Sequence, residues 1–259
     1  MLRRARFSGR VLSLASGVLP EFGPEQTAAA AAEAGWDAVG IWVEPAAWSV
    51  ATTRAVRAVG LPVLDVEVVW IKPGPPDPDH ARVLEIGAAL GAANVLVVSS
   101  DPDRQATVEK LALLAAQART LGVRVALEFA AFTEVRTLED ALDVLTRPEL
   151  AEVSLLIDPL HFARTGGQPE VLAGIARGRF AYAQYCDALA HGPHPEDRDA
   201  ILQEAIDLRL LPGTGELPLD ALLAVLPAGL PLSVEIRSKA LREAYGDAAA
   251  RALAVMEAM

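Results

Sequence analysis

Residues 94–129 read NVLVVSSDPDRQATVEKLALLAAQARTLGVRVALEF. A short apolar run, Asn94–Ser99, is followed by an Ala/Leu-rich helical stretch, Asp103–Leu121, and then by a second β-rich run, Val123–Phe129. At the junction Leu121-Gly122-Val123, glycine stands where a helix ends in a left-handed cap before the next strand. The same alternation extends in both directions. The candidate strands are Val11–Ala15, Ala38–Val43, Pro62–Trp70, Asn94–Ser99, Val123–Phe129, Val153–Asp158, Phe180–Cys186 and Leu232–Ile236. Further helical segments are expected at Pro24–Ala34, Asp79–Leu90, Leu138–Thr146 and Lys239–Ala258. The first seven strand starts recur at roughly 24 to 32 residues, the spacing of repeated βα units. Short, β-branched strands separated by helices imply a parallel sheet buried on both faces. Eight such units predict closure into one (β/α)8 TIM barrel spanning residues 1–259. A doubly wound open sheet is the alternative, but no Gly-rich phosphate turn follows the first strand. The long last interval, 187–232, predicts an extra helix and an active-site loop at Pro212-Gly213-Thr214-Gly215-Glu216.

Length and composition agree with this reading. Barrels of this kind run to about 250 residues as one unit, and 52% hydrophobic residues against 22% charged supply a large core. A net charge of −11 argues against a nucleic-acid partner, whose phosphates call for clustered Lys and Arg. No apolar run reaches the roughly 18 residues of a membrane span. The start, Leu2-Arg3-Arg4-Ala5-Arg6 before Val11–Ala15, faintly imitates a signal peptide, but Ser8, Gly9 and Arg10 interrupt it, and Val11–Ala15 is read as the first strand. The single cysteine, Cys186, rules out an internal disulfide framework and suits a cytoplasmic location.

A packed barrel interior should reject charge, since an unpaired buried carboxylate is strongly unfavourable. Yet Glu128, Asp158, Gln184 and Glu235 sit late in four consecutive candidate strands. Each falls near the C-terminal strand end, the rim where such barrels keep their active sites. One strand-terminal glutamate is ordinarily a salt-bridge partner. Four such groups in succession point instead to a divalent metal ion that neutralises three crowded carboxylates. The all-oxygen donor set favours Mn²⁺ or Mg²⁺, with Co²⁺ or Zn²⁺ also compatible.

The segments Leu127-Glu128-Phe129, Asp158-Pro159-Leu160-His161, Gln184-Tyr185-Cys186-Asp187, Pro212–Glu216 and Val234-Glu235-Ile236 resemble the xylose-isomerase-like barrel superfamily. Within it the chain is most similar to the sugar phosphate isomerase/epimerase group, which includes hydroxypyruvate isomerase and ketose 3-epimerases. The similarity covers nearly the whole chain. Many relatives carry histidine as the ligand on the seventh strand; Gln184 matches the hydroxypyruvate isomerase-like members. The endonuclease IV branch uses several histidine-rich zinc ligands, whereas this chain has only four histidines. The resemblance is compatible with a homo-oligomer.

Proton abstraction next to a carbonyl needs an electrophile and a base at hydrogen-bonding distance. A metal ion would supply the first. Glu128 and Glu235 are suited to act as base and acid on the two faces of a planar enediolate, and the resemblance implies the same roles. It also implies that His161, three residues after Asp158, contacts the substrate oxygen beside the metal; a surface-loop histidine is the plainer alternative. Arg209 is either a bidentate clamp for a carboxylate or phosphate or a solvated helix-end arginine. Glu67 is read as lining the pocket or pairing with a basic neighbour. Trp42 and Trp70 form either an apolar wall for a sugar or ordinary core. His191 and His194 suit a lid or a polar loop, and Cys186 suits packing. The expected function is a metal-dependent isomerase or epimerase acting on a small hydroxy-carbonyl substrate. The alternatives are a lyase or dehydratase acting on a 3-keto sugar or dehydroshikimate-like compound, and a non-catalytic ligand-binding barrel.

Overall fold

The computed structural model describes residues 4–259. Its strands are β1 (Leu12–Leu14), β2 (Ala38–Trp42), β3 (Val63–Ile71), β4 (Asn94–Ser99), β5 (Arg124–Glu128), β6 (Ser154–Ile157), β7 (Phe180–Tyr185) and β8 (Leu232–Val234). All neighbours pair in parallel, and β8 returns to β1, closing the barrel in sequence order. Every expected strand is present, within a residue or two at each end. Of the basic start, Leu2 and Arg3 lie outside the described residues; Arg4–Phe7 form a short 3-10 turn.

The apolar residues divide into two layers. A large cluster fills the shell between strands and helices, with Val97, Leu127, Leu155 and Val234 among its members. A small cluster inside the barrel contains Ala38, Leu96, Val98, Ala126, Leu156 and Tyr182. Alternation along each strand, with successive side chains on opposite faces, produces this division. The interior is not wholly apolar. Ser13 Oγ, Asp65 Oδ1, Ser233 Oγ and the Tyr182 hydroxyl are buried without a hydrogen-bond partner among the described residues.

The helices begin and end where their side chains cap them. Asp103 accepts from the amides of Gln105 and Ala106, and the helix Arg104–Leu121 then runs to Gly122, whose φ of 73° needs glycine. The long last interval holds two helices, Arg198–Asp207 and Leu219–Val225. The helix expected over Lys239–Ala258 is broken into Lys239–Ala244 and Ala248–Ala258, because Gly246 interrupts it and Asp247 caps the second piece. Segment 212–216 folds back on Asp187, whose Oδ2 accepts from the amides of Gly213 and Gly215 at 2.9 and 3.0 Å. It lines no wall of the barrel mouth, so the expected active-site loop is a pinned turn beside the site. Among the described residues no helix is long and apolar enough to cross a membrane.

Gly122→Ala isolates the cost of the left-handed cap, since nothing stands within 4 Å of the added methyl. The urea midpoint should fall by an amount equivalent to about 1 kcal/mol with the m-value unchanged. An unaltered midpoint would mean that the cap contributes nothing.

Candidate active site at the barrel mouth

The alternation that sorts the core also decides what faces the mouth. Ala126 and Glu128, Leu156 and Asp158, Tyr182 and Gln184, and Ser233 and Glu235 are pairs two residues apart, so both members of each look toward the barrel axis. The first members lie deep, and the second members ring the C-terminal opening. All four polar groups are buried. Glu128, Gln184 and Glu235 line a cavity of about 110 Å³ together with Glu67 and His161, walled by Trp70, Val98 and Phe132, and Asp158 lies behind the lining residue Arg209.

Asp158 ends its strand and caps the next helix, Pro159–Arg164, accepting from the amides of Leu160 (2.7 Å) and His161 (3.2 Å) through Oδ1. That turn brings His161 inward, where it is buried with Phe132 edge-on at 5.2 Å. Atoms of Glu128, Asp158 and His161 that can ligate a metal lie within 4.8 Å of one another. The histidine is therefore no surface-loop residue.

Arg209 is only 2% exposed, which excludes the solvated helix-end alternative. Its Nη1 donates to Asp158 Oδ2 at 2.5 Å, its Nη2 lies 3.2 Å from Glu235 Oε2, and its Nε donates to the Ala205 carbonyl at 2.8 Å. The guanidinium is an internal counter-ion for two of the expected ligands. Glu235 uses its other oxygen to accept from Arg237 Nε at 3.2 Å, and Arg237 Nη2 stands 4.0 Å from Glu67 Oε2. Ser16 donates to Glu67 Oε1 at 2.9 Å. The mouth thus carries the alternating series Asp158, Arg209, Glu235, Arg237, Glu67.

Proton affinities follow from this arrangement. Burial pushes Glu128 well above the usual carboxylate range, and repulsion from Asp158 and Glu235 adds to it. Burial, then repulsion from Glu235, lifts Glu67 to about 7. Burial would also raise Asp158, but the Arg209 charge and then His161 outweigh it and hold the group low. The His161 imidazole is pushed down to about 4, chiefly by burial, and is neutral near pH 7.

Glu128 Oε1 and Gln184 Oε1 are buried without a hydrogen-bond partner among the described residues. Buried oxygens in native folds are ordinarily satisfied, and a divalent cation would satisfy both while relieving the repulsion at Glu128. The donor set suits a hard or borderline ion. The residues fit a metal, although Asp158 and Glu235 both carry arginine contacts here and Glu235 stands outside the three-residue group.

Trp42 is 44% exposed and lies at the edge of the mouth, with the Arg237 guanidinium 5.6 Å from its ring centroid. Trp70 belongs to the cavity wall; its Nε1 donates to Ser100 Oγ at 2.8 Å. His191 and His194 are exposed and line no part of the cavity. Cys186 is buried, and burial raises its thiol pKa, in keeping with packing. Sequence reading missed Arg237, Asp65 and Phe132. Arg237 follows Glu235 by two residues and Asp65 precedes Glu67 by two, so strand alternation was the signal available for both. Phe132 lies in the loop after β5, where no periodicity points to it.

The model of the family described as "Xylose isomerase-like TIM barrel" matches residues 28–259. A protein of Pseudomonas aeruginosa named 3-dehydroshikimate dehydratase is 28% identical over 172 residues, which are 63% of this chain and 26% of that protein. The chain thus spans about a quarter of that relative's length. Among solved structures, the IolI protein with a bound zinc atom aligns with a TM-score of 0.78 at 18% identity, over 95% of both chains. A D-allulose 3-epimerase from Methylomonas sp. aligns with a TM-score of 0.66 at 17% identity, over 96% of both chains. At such identities the structural matches speak for the fold alone.

Arg209→Met should leave the buried carboxylates of Asp158 and Glu235 without their shared cation. The metal-free variant should lose about 3 kcal/mol of stability in a urea titration. A loss under about 1 kcal/mol would mean that the carboxylates find another counter-charge.

Proposed function

Because the chain belongs to the xylose isomerase-like TIM barrel family, we propose that it is a metal-dependent isomerase or epimerase of small hydroxy-carbonyl compounds, sugars or sugar-like acids. The observation that supports this most is the pairing of two buried glutamates, on β5 and just past β8, across one small cavity that also holds a neutral imidazole and two unpartnered oxygens. A divalent ion held by Glu128, Asp158, Gln184 and Glu235 would polarise the substrate carbonyl as a Lewis acid.

The chain's own groups account for the proton. A carboxyl group has two oxygens, and a glutamate that gives one to the ion keeps the other as a base. Glu128 takes and keeps the proton beside the carbonyl on one face. Glu235 enters the cycle protonated and delivers a different proton from the other face, and exchange with solvent resets both carboxyls before the next turnover. Neutral His161 offers a hydrogen bond to the substrate oxygen without competing for the proton. Arg209 holds Asp158 low and orients it with Glu235, Arg237 spans Glu235 and Glu67, and Trp70 and Phe132 limit water at the reacting carbon. The strongly negative net charge and the absence of a long apolar helix among the described residues suit a small-molecule substrate.

A second reading is a dehydratase, favoured by the similarity to the Pseudomonas protein. Both reactions begin with the same proton abstraction and part according to whether a leaving group stands β to the carbanion. A panel of ketoses, hydroxypyruvate, 3-keto sugars and 3-dehydroshikimate, incubated with Mn²⁺ in deuterium oxide, separates them. Deuterium uptake without elimination is expected, an unsaturated product would replace isomerase by dehydratase, and neither outcome with metal bound would remove both.

Glu128→Gln and Glu235→Gln each keep an oxygen donor while deleting a base. Metal should stay measurably bound by elemental analysis in both variants. Turnover should fall by about 10² or more. Should one variant still exchange substrate hydrogen with solvent, it retains the abstracting glutamate. Near-native turnover in both would sink the two-glutamate mechanism.

A further inference from the structure

The mouth cavity is not the largest hollow at this end of the barrel. A pocket of about 330 Å³, roughly three times the volume of the mouth, opens beside it over the segments that follow β1 and β2. Trp42 and Arg237 line both spaces, so the two are lobes of one depression divided by the stacked tryptophan and guanidinium.

Its chemistry differs from that of the mouth. Phe22, Trp42 and Trp48 present aromatic surface, while Glu25, Glu44 and Thr52 bring carboxylates and a hydroxyl. Aromatic faces beside acceptor-rich carboxylates complement a pyranose or furanose ring, which shows C–H groups on one face and hydroxyl donors around its edge. The same lining opposes an anion. Among the described residues that line it Arg237 is the one basic side chain, and that charge already faces Glu235 and Glu67. Glu25 and Glu44 would repel a phosphate or carboxylate.

The walls are fixed in advance. Trp48 Nε1 donates to Thr53 Oγ1 at 2.9 Å. Buried Arg251 holds the segment after β1 by donating to the Val18 carbonyl at 3.2 Å and to Glu21 Oε2 at 2.9 Å, and its guanidinium lies 5.6 Å from the Phe22 ring centroid. Gly17 lets Arg237 lie close, since a β-carbon there would fall 2.5 Å from Arg237 Nε. Preorganised walls lower the ordering cost of binding.

We propose that this second lobe receives an uncharged glycosyl ring attached to the reacting sugar, so that the substrate is a hydroxy-carbonyl sugar within a larger glycoside and not a free sugar phosphate. The inference rests on the isomerase reading of the mouth and adds the class of group that lies beyond it.

Calorimetric titration of the full chain with fructose, fructose 6-phosphate, isomaltulose (glucosyl on O6) and lactulose (galactosyl on O4) tests it. At least one disaccharide should bind about tenfold more tightly than fructose, and the phosphate should bind no more tightly than fructose. Trp48→Ala should erase the disaccharide advantage and leave fructose affinity unchanged. Glu44→Gln, at an exposed position where folding is not at stake, should reduce that advantage in the same direction. Equal affinities for fructose and both disaccharides, a preference for the phosphate, or variants that weaken fructose as much as the disaccharides would each overturn the proposal. If fructose still exchanges hydrogen with deuterium oxide in those cases, the glycosyl lobe alone falls. If no sugar binds and none exchanges, the isomerase reading falls with it.

Discussion

The guanidinium of Arg209 sits between Asp158 at 2.5 Å and Glu235 at 3.2 Å, and the rest of the mouth is arranged around that contact. Two carboxylates past the ends of β6 and β8 could not both stay charged in a dry barrel opening without a cation between them. Arg209 is delivered from outside the barrel by the segment after helix Arg198–Asp207. Its position is set by the backbone, since Arg209 N donates to the Arg237 carbonyl at 3.1 Å and isolated bridges join Leu208 to Ser238 and Asp187 to Leu210. Those links tie the long connection after β7 to the end of β8. They also explain why segment 212–216 is a pinned turn, with Asp187 holding it while its neighbours hold the arginine.

The alternating charges Asp158, Arg209, Glu235, Arg237 and Glu67 run around the opening and leave Glu128 and Gln184 outside the series. Each of these two carries a buried oxygen without a hydrogen-bond partner among the described residues. Electrostatics thus separates the acids already compensated by arginine from Glu128, which together with the Gln184 amide oxygen calls for a cation. Below them the polar interior continues with Asp65, raised by burial and by repulsion from Glu67 and Glu235. The carboxyl fits under Gly40 because the neighbouring strand offers no side chain in that space. The barrel gives up part of its apolar filling in exchange for a polar axis beneath the site.

Two lobes flank the Trp42–Arg237 pair, one small and charged, the other larger, aromatic and acidic at its edge. Under the proposed function, their difference bears on substrate choice more than on the reaction. On the proposed reading, proton transfer uses the small lobe. The segment after β1 serves both lobes, since Ser16 donates to Glu67 and Gly17 makes room for Arg237, while Glu44 and Trp48 after β2 border the larger lobe alone. This is the usual division in such barrels, where strand ends carry chemistry and loops carry selectivity.

Much of this was legible in residues 94–129 and their repeats. Strand and helix periodicity, with glycine at the cap after Leu121, determined a closed parallel barrel, because period-2 and period-3.6 burial are local properties of the chain. The same local rule exposed Glu128, Asp158, Gln184 and Glu235 as polar groups on the axis side. Pairing across the barrel was not legible. That Arg209 turns inward as a counter-ion, that Arg237 bridges Glu235 toward Glu67 while stacking on Trp42, and that Arg251 holds the wall of the second lobe all depend on contacts between segments far apart in sequence. The continuous helix expected at the C-terminus failed for a local reason, the Gly246-Asp247 stop. A sequence records which side of a strand a residue faces. Which opposite charge meets it is decided only when the barrel closes, since that closure removes the water that would otherwise screen each charge.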